Sequence, residues 1–265
     1  MRGRGRTCRR LGRWRWQCLP AVLGLLLVYV FGGSPASAAE APLIAVDVGH
    51  SLARPGAISA RGRPEFAFNR ELALVVEQAL RERGFRIRMI GERGDADDLA
   101  ARTASAADAG ADFLLSIHHD SVQPQYLETW MMDGREQRRT DRFSGYSLFV
   151  SRKNPQPDAS LVCAQAIGEA LRADGQAPSL HHAEPIRGEN RPLADATNGI
   201  YFFDDLIVLR TARSPAVLVE VGIILNANDE SVLREPSTQR RIAAALADGL
   251  LHCLGVPARQ AGRRR

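Results

Sequence analysis

The chain has 265 residues, 45% of them apolar and 25% charged, with a formal net charge of +5 and a pI near 9.4. This length can bury a full core and the composition excludes wholesale disorder. The charge would point to a polyanionic partner if it were spread over the body, and it is not. Residues 1–39 carry seven arginines and no acid, and residues 259–265 carry four more arginines. The body, 40–258, holds 24 basic against 30 acidic residues, a net of −6, so nucleic acid is not an expected partner.

An Arg-rich start, the 13-residue apolar run Leu19–Phe31 and the small residues before Glu40 have the three parts of a secretory signal peptide. The run is short of the roughly 20 residues a membrane span needs. Residues 1–39 are therefore expected to be an export signal and 259–265 a basic tail. The expected location is the periplasm or cell envelope. Of four cysteines, Cys8 and Cys18 lie in the leader, leaving Cys163 and Cys253. An oxidising compartment permits a disulfide between them. Their neighbours, at helical spacing, equally fit two small buried side chains.

The body alternates strand and helix signals. Leu43–Val48 is a buried-strand run ending at Gly49. Arg70–Arg83 carries a helical apolar stripe and stops at Gly84. Phe85–Ile90 is a second strand, Asp98–Ala109 a helix with Asp97 as its N-cap, and Asp112–Ile117 a third strand. Residues 121–144 break the pattern and read as a surface insertion with a short helix. Gly145–Val150 is a strand and Ala159–Ala173 a helix, and residues 174–205 are irregular. Pro215–Val219 is a strand, and Ser237–Leu254 a helix capped by Ser237 and ended by Gly255. The order predicts a single α/β domain over 40–258, with a twisted, mostly parallel sheet flanked by helices. Two long irregular segments in one domain are candidate lids or regulatory elements.

His50 follows the first strand and Glu65 lies in the connection after it. His118 ends the third strand and Glu220 ends the last. In a parallel sheet these C-terminal strand ends emerge at one edge, where ligands bind. Two imidazoles and a carboxylate are the usual protein ligands of a catalytic zinc, and a second carboxylate can serve as general base. Asp120 could orient a ligand, and His119 should point to the opposite side of its strand as a structural residue. His181 and His182 read as a solvated loop, and Arg210 could bind a carboxylate.

These residues stand in recognisable blocks: Val48-Gly49-His50, Pro55-Gly56-Ala57, Pro64-Glu65, Ser116-Ile117-His118, Leu209-Arg210, Ser214-Pro215-Ala216-Val217-Leu218-Val219-Glu220-Val221-Gly222 and Leu225-Asn226. In order and spacing the chain resembles the zinc-dependent N-acetylmuramoyl-L-alanine amidases of the amidase 3 family, over about residues 43–254. The resemblance implies Zn²⁺ ligation by His50, Glu65 and His118 and catalysis by Glu220; Arg210 and Asn226 are candidate substrate contacts, a surface salt bridge being the equal alternative for Arg210. It implies hydrolysis of the amide between N-acetylmuramic acid and L-alanine in peptidoglycan. Ser51 and Leu52 replace the two glycines that often follow the first histidine in that family. Two other readings stay open: a zinc peptidase acting within the stem peptide, and a non-catalytic peptidoglycan-binding or regulatory protein. A monomer is expected. An activator protein, and an anionic membrane or wall surface met through the C-terminal arginines, are the further partners left open.

Overall fold

The computed structural model describes residues 40–256. The expected leader 1–39 and basic tail 259–265 lie outside the described residues. Among those described, no helix is long and apolar enough to cross a membrane.

In chain order the strands are β1 (Leu43–Val48), β2 (Arg86–Ile90), β3 (Phe113–Asp120), β4 (Glu128–Met132), β5 (Arg135–Arg139), β6 (Ser147–Val150), β7 (Leu193–Asp195), β8 (Ile200–Phe202) and β9 (Ala216–Ile223). The helices are α1 (Glu65–Glu82), α2 (Leu99–Asp108), α3 (Pro157–Ala173), α4 (Ile207–Thr211), α5 (Ala227–Leu233) and α6 (Pro236–Cys253). Seven strands form one sheet in the order β2-β1-β3-β9-β6-β8-β7. The pairs β2–β1, β1–β3, β3–β9 and β6–β8 are parallel, while β6 runs antiparallel to β9 and β7 to β8. The expected mostly parallel sheet is thus observed, with an antiparallel junction at its centre.

Alternation along the central strands divides the core in two. Ile44, Val46, Val48, Leu115, Ile117, Val217 and Val219 pack with α1, α3 and α6 in the larger cluster. Ala45, Leu114 and Leu218 pack with Ala106 of α2 and with Val208 and Leu209 of α4 in a smaller one. Two short helices and the loops bearing Ala183, Phe203 and Leu206 cover that second face. The polar residues Asp47, Ser116, His118 and Glu220 share its alternation, so the chemistry-bearing side chains lie on the thinly covered face.

Several boundaries differ from the sequence reading, each for a local reason. Helix α1 starts at Glu65, not Arg70, because Pro64 (φ −65°) sets the chain up for a helix at the next residue. Asp98, not Asp97, caps α2, its side chain accepting from the amides of Ala100 and Ala101. Helix α6 begins at Pro236, so Ser237 lies inside its first turn and caps nothing. The stretch 121–144 contains a 3₁₀ turn at Pro124–Tyr126 and, in place of an irregular insertion, the β4–β5 hairpin. Asp133 and Gly134 turn that hairpin with φ of 49° and 74°, the left-handed pair a tight hairpin loop requires. The stretch 174–205 contributes β7 and β8, and α5 follows β9 unforeseen.

Cys163 of α3 and Cys253 of α6 form a disulfide, with Cα atoms 5.0 Å apart. The bond settles the pairing that the sequence left open. It closes a loop of 90 residues, a strong constraint on the unfolded chain. Reduction, or the Cys163→Ser/Cys253→Ser pair, is expected to lower unfolding free energy by about 2–5 kcal/mol, read as an earlier denaturant midpoint. Identical midpoints with and without reductant would contradict this.

Candidate metal centre

The carboxylate of Glu65 joins the two imidazoles. Its Oε2 lies 2.9 Å from His50 Nε2 and its Oε1 lies 3.1 Å from His118 Nδ1. Three donors hold it in place: the Ala57 amide on Oε2 at 3.1 Å, and Asn69 Nδ2 at 3.0 Å and the His119 amide at 3.3 Å on Oε1. Glu65 is 4% exposed and stands at the first position of α1, where the helix dipole favours a negative charge. Burial opposes its ionisation, but the hydrogen bonds and charges of His118 and His50 outweigh that and hold the carboxyl far below its usual range. Burial likewise opposes an imidazolium at His50, and the bond to Glu65 outweighs it, raising the His50 pKa.

Two glycines make room for this cluster. A Cβ on Gly49 would come within 2.4 Å of the His118 ring. A Cβ on Gly56, at φ +79°, would come within 2.4 Å of Glu65 Oε2 and 2.7 Å of His50 Cδ2. One ligand atom from each of His50, Glu65 and His118 lies within 4.8 Å of the others. Two imidazoles, one carboxylate and a cradle lacking side-chain atoms fit a tetrahedral divalent ion with one position left for a substrate or water.

His50 itself adopts φ 68°, a left-handed conformation that a residue with a Cβ takes at some cost. A buried clamp holds it there. Arg102, 2% exposed, pairs with Asp47 at 2.7 Å and donates to the carbonyls of Val48, His50 and Ala96. Ser116 Oγ donates to the other Asp47 oxygen at 2.7 Å. The Ser51 hydroxyl donates to Asp97. The buried ion pair thus fixes the loop that carries His50, Ser51 and Leu52. Sequence reading missed the clamp. The signal was Asp47 and Ser116, polar residues interrupting two apolar strands in register with one another.

Glu220 of β9 lies opposite His118 of β3 in the parallel register, next to a bulge between His118 and Asp120. Both strands run beyond the residues at which the sequence ended them. Glu220 Oε2 is buried and has no hydrogen-bond partner. Burial, and then the charges of Asp120 and Glu65, push its pKa well above the ordinary carboxylate value. Two cavities share His50, His118, Leu206 and Leu218 as walls. One, of about 260 Å³, is otherwise lined by Leu99, Val208 and the Arg102 clamp. The other, of about 280 Å³, is lined by Asp120, Gln123, His182, Glu189, Arg191 and Glu220 together with Phe149 and Phe203.

The remaining candidates fall in different places. His119 turns to the α1 face as expected, buried against Phe68, with its Nδ1 2.7 Å from Asn69 Oδ1. Burial lowers its pKa to about 3, so it is neutral. His181 and His182 are not a solvated loop: they are 4% and 8% exposed and form a network with Asp120 and Glu189. Burial opposes charge on His182, but Asp120 and Glu189 raise its pKa to about 9. Asp120 therefore engages His182 and His181, not the His50–Glu65–His118 set. Asn226 is an N-cap. Its Oδ1 accepts from the amides of Asn228 and Asp229, and its Nδ2 donates to the Phe143 carbonyl, so its amide is spent on the fold of α5. Arg210 is exposed on α4 and lines neither cavity.

The cradle generates a test. Gly56→Ala is expected to weaken divalent-ion binding about 10–100-fold by displacing Glu65. Gly110→Ala puts a Cβ at a similar φ of +70° but in open space. It should leave ion affinity unchanged. Equal affinities in both variants, measured by competition with a chelator, would contradict the cradle.

A family model described as N-acetylmuramoyl-L-alanine amidase (Amidase_3) matches residues 44–252. A probable N-acetylmuramoyl-L-alanine amidase AmiB of Haemophilus influenzae is 26% identical over 228 residues, covering 78% of this chain and 51% of the relative. The amidase AmiA of Salmonella typhimurium is 24% identical over 230 residues, covering 79% of this chain and 75% of the relative. The chain thus spans about half the length of the first and three quarters of the second. Among solved structures, the catalytic domain of the amidase CwlV from Bacillus (Paenibacillus) polymyxa superposes with a TM-score of 0.62 at 24% identity, covering 81% of this chain and 99% of that one. The amidase Ami1 of Mycobacterium abscessus gives 0.63 at 22% identity, covering 80% and 98%. At these identities the structural likeness establishes the fold. Together with the family match over most of the described residues, it places this chain in the N-acetylmuramoyl-L-alanine amidase family, amidase 3.

Proposed function

We propose that the chain is an exported zinc amidase that hydrolyses the amide between the lactyl group of N-acetylmuramic acid and L-alanine of the stem peptide in peptidoglycan. His50, Glu65 and His118 would hold the ion. Residues 40–258 would be the catalytic unit, released from the leader 1–39 on export to the cell envelope. The observation that carries this reading is half-buried Glu220, set opposite His118 beside the ligand set, whose buried Oε2 has no hydrogen-bond partner. A buried carboxylate without a partner is costly, and reactive sites keep such groups because a substrate or a proton completes them.

When bound, zinc supplies a Lewis acid for the scissile carbonyl and lowers the pKa of a water. Glu220 takes the proton of the attacking water as its oxygen bonds to the carbonyl carbon. The same carboxyl then delivers that proton to the alanine nitrogen as the carbon–nitrogen bond breaks. The products are the lactyl carboxylic acid and a stem peptide with a free amino terminus. Burial and neighbouring charge raise the Glu220 pKa, which brings it toward the range in which a carboxyl both accepts and returns a proton. The clefts flanking His50 and His118 give room for the two halves of the substrate, one wall set largely apolar and the other a mixture of charged and aromatic groups. The CwlD amidase of Clostridioides difficile is seen in complex with the GerS lipoprotein. A protein partner that activates this chain belongs to the same reading.

Glu220→Gln is expected to retain its metal and lose turnover by at least about a thousandfold, since the amide keeps the shape but cannot carry the proton. Mass spectrometry of digested muropeptides is the readout. Near wild-type release of intact stem peptides by that variant would overturn the role of Glu220.

A further inference from the structure

Beyond the His50–Glu65–His118 set, Asp120, His181 and His182 bring three ligand atoms within 4.8 Å of one another, and all three residues are buried. We propose that they form a second binding site for a divalent transition-metal ion, opening through Asp120 and His182 into the cavity that also holds Glu220.

The orientation of each donor supports this. His182 Nδ1 lies 2.7 Å from Glu189 Oε2, which leaves its Nε2 toward Asp120 Oδ2 at 2.9 Å. His181 Nδ1 lies 2.9 Å from the Ser179 hydroxyl, which leaves its Nε2 facing the same Asp120 oxygen at 3.4 Å. Asp120 Oδ1 accepts from the Ser121 amide at 2.7 Å, leaving Oδ2 as the point of convergence. Each donor thus has its second polar atom pinned by another group, and each directs its remaining atom to one point. A carboxylate on the far nitrogen of an imidazole is the arrangement that fixes tautomer and direction in metal sites.

The second observation is His181 Nε2. It is buried and makes no hydrogen bond, although its side chain is only 2% exposed. Leaving a buried nitrogen unpaired is costly, and an ion at the convergence point would satisfy it. Ligands about 2.0–2.1 Å from a tetrahedral ion lie about 3.3–3.4 Å from each other, which the His181–Asp120 separation already meets. The His182–Asp120 separation is that of a hydrogen bond, and an ion would take the place of its proton. Phe143, Phe149 and Tyr201 pack around the imidazole pair and restrict water. Two nitrogens and one oxygen suit zinc or cobalt better than calcium or magnesium.

The test is metal stoichiometry on the full chain, stripped with a chelator and equilibrated with Zn²⁺ alone. Two equivalents are expected for the wild type, one for His118→Ala and one for His181→Gln/His182→Gln. Glu189→Gln, which spares every ligand, should weaken the second equivalent about 10–100-fold. Co²⁺ added to His118→Ala should give the visible absorption of a four-coordinate ion, absent when His181→Gln is added. Circular dichroism confirms that the variants fold. A wild type that takes up one equivalent, retained in His181→Gln/His182→Gln and lost in His118→Ala, overturns the proposal. So does a folded His181→Gln/His182→Gln chain that still takes up two. Neither result touches the amidase reading, which rests on Glu220 and the first ligand set.

Discussion

A carboxylate must stay charged inside the protein at Glu65, and much of the local architecture follows from that requirement. A buried ionised carboxyl is stable only if its oxygens are fully engaged. Here they meet two imidazoles, two backbone amides and the Asn69 side chain. Supplying those partners needs α1 to begin at Glu65, which Pro64 secures, and needs β1 and β3 to end side by side so that both histidines arrive. It also needs backbone without side chains at positions 49 and 56. The strained His50 is the other half of the constraint. Its conformation persists because the buried Asp47–Arg102 pair holds the carbonyls on either side of it.

Sheet alternation decides which face does chemistry. On the face covered by α1, α3 and α6, the strands present Val, Ile and Leu and build the main core. On the other face the same strands present Asp47, Ser116, His118 and Glu220, covered by the short α2 and α4 and by loop residues such as Ala183, Phe203 and Leu206. A thin cover leaves clefts beside His50 and His118, and the thick side supplies the stability that tolerates a buried ionic cluster. The disulfide between α3 and α6 reinforces that thick side, away from the site.

Much of this was legible in the sequence because strand ends in a parallel sheet fall at one edge. His50, His118 and Glu220 could be placed there from apolar runs alone, and Glu65 from its nearness to a helix start. What stayed hidden depended on contacts between distant segments. The β4–β5 hairpin has no apolar alternation, and only Asp133-Gly134 marked its turn. β8 is three residues long and exists because Leu148–Val150 offer an edge to pair with. His181 and His182 looked solvated because their segment is polar. They are buried because Asp120 and Glu189 satisfy His182 and aromatic side chains enclose the pair. Asn226 belongs to a block that the resemblance linked to substrate, yet its amide caps α5. A polar residue after a strand can serve the backbone before it serves a ligand.

The central claim is that His50, Glu65 and His118 hold an ion on which cleavage of the lactyl–alanine amide depends. The direct measurement is mass spectrometry of purified peptidoglycan digested by the native chain, by the chain stripped of metal, and by the stripped chain resupplied with Zn²⁺. The account predicts free lactyl ends and intact stem peptides from the first and third digests and none from the second. Equal cleavage by the stripped chain, or cuts confined to bonds within the stem peptide, would contradict it.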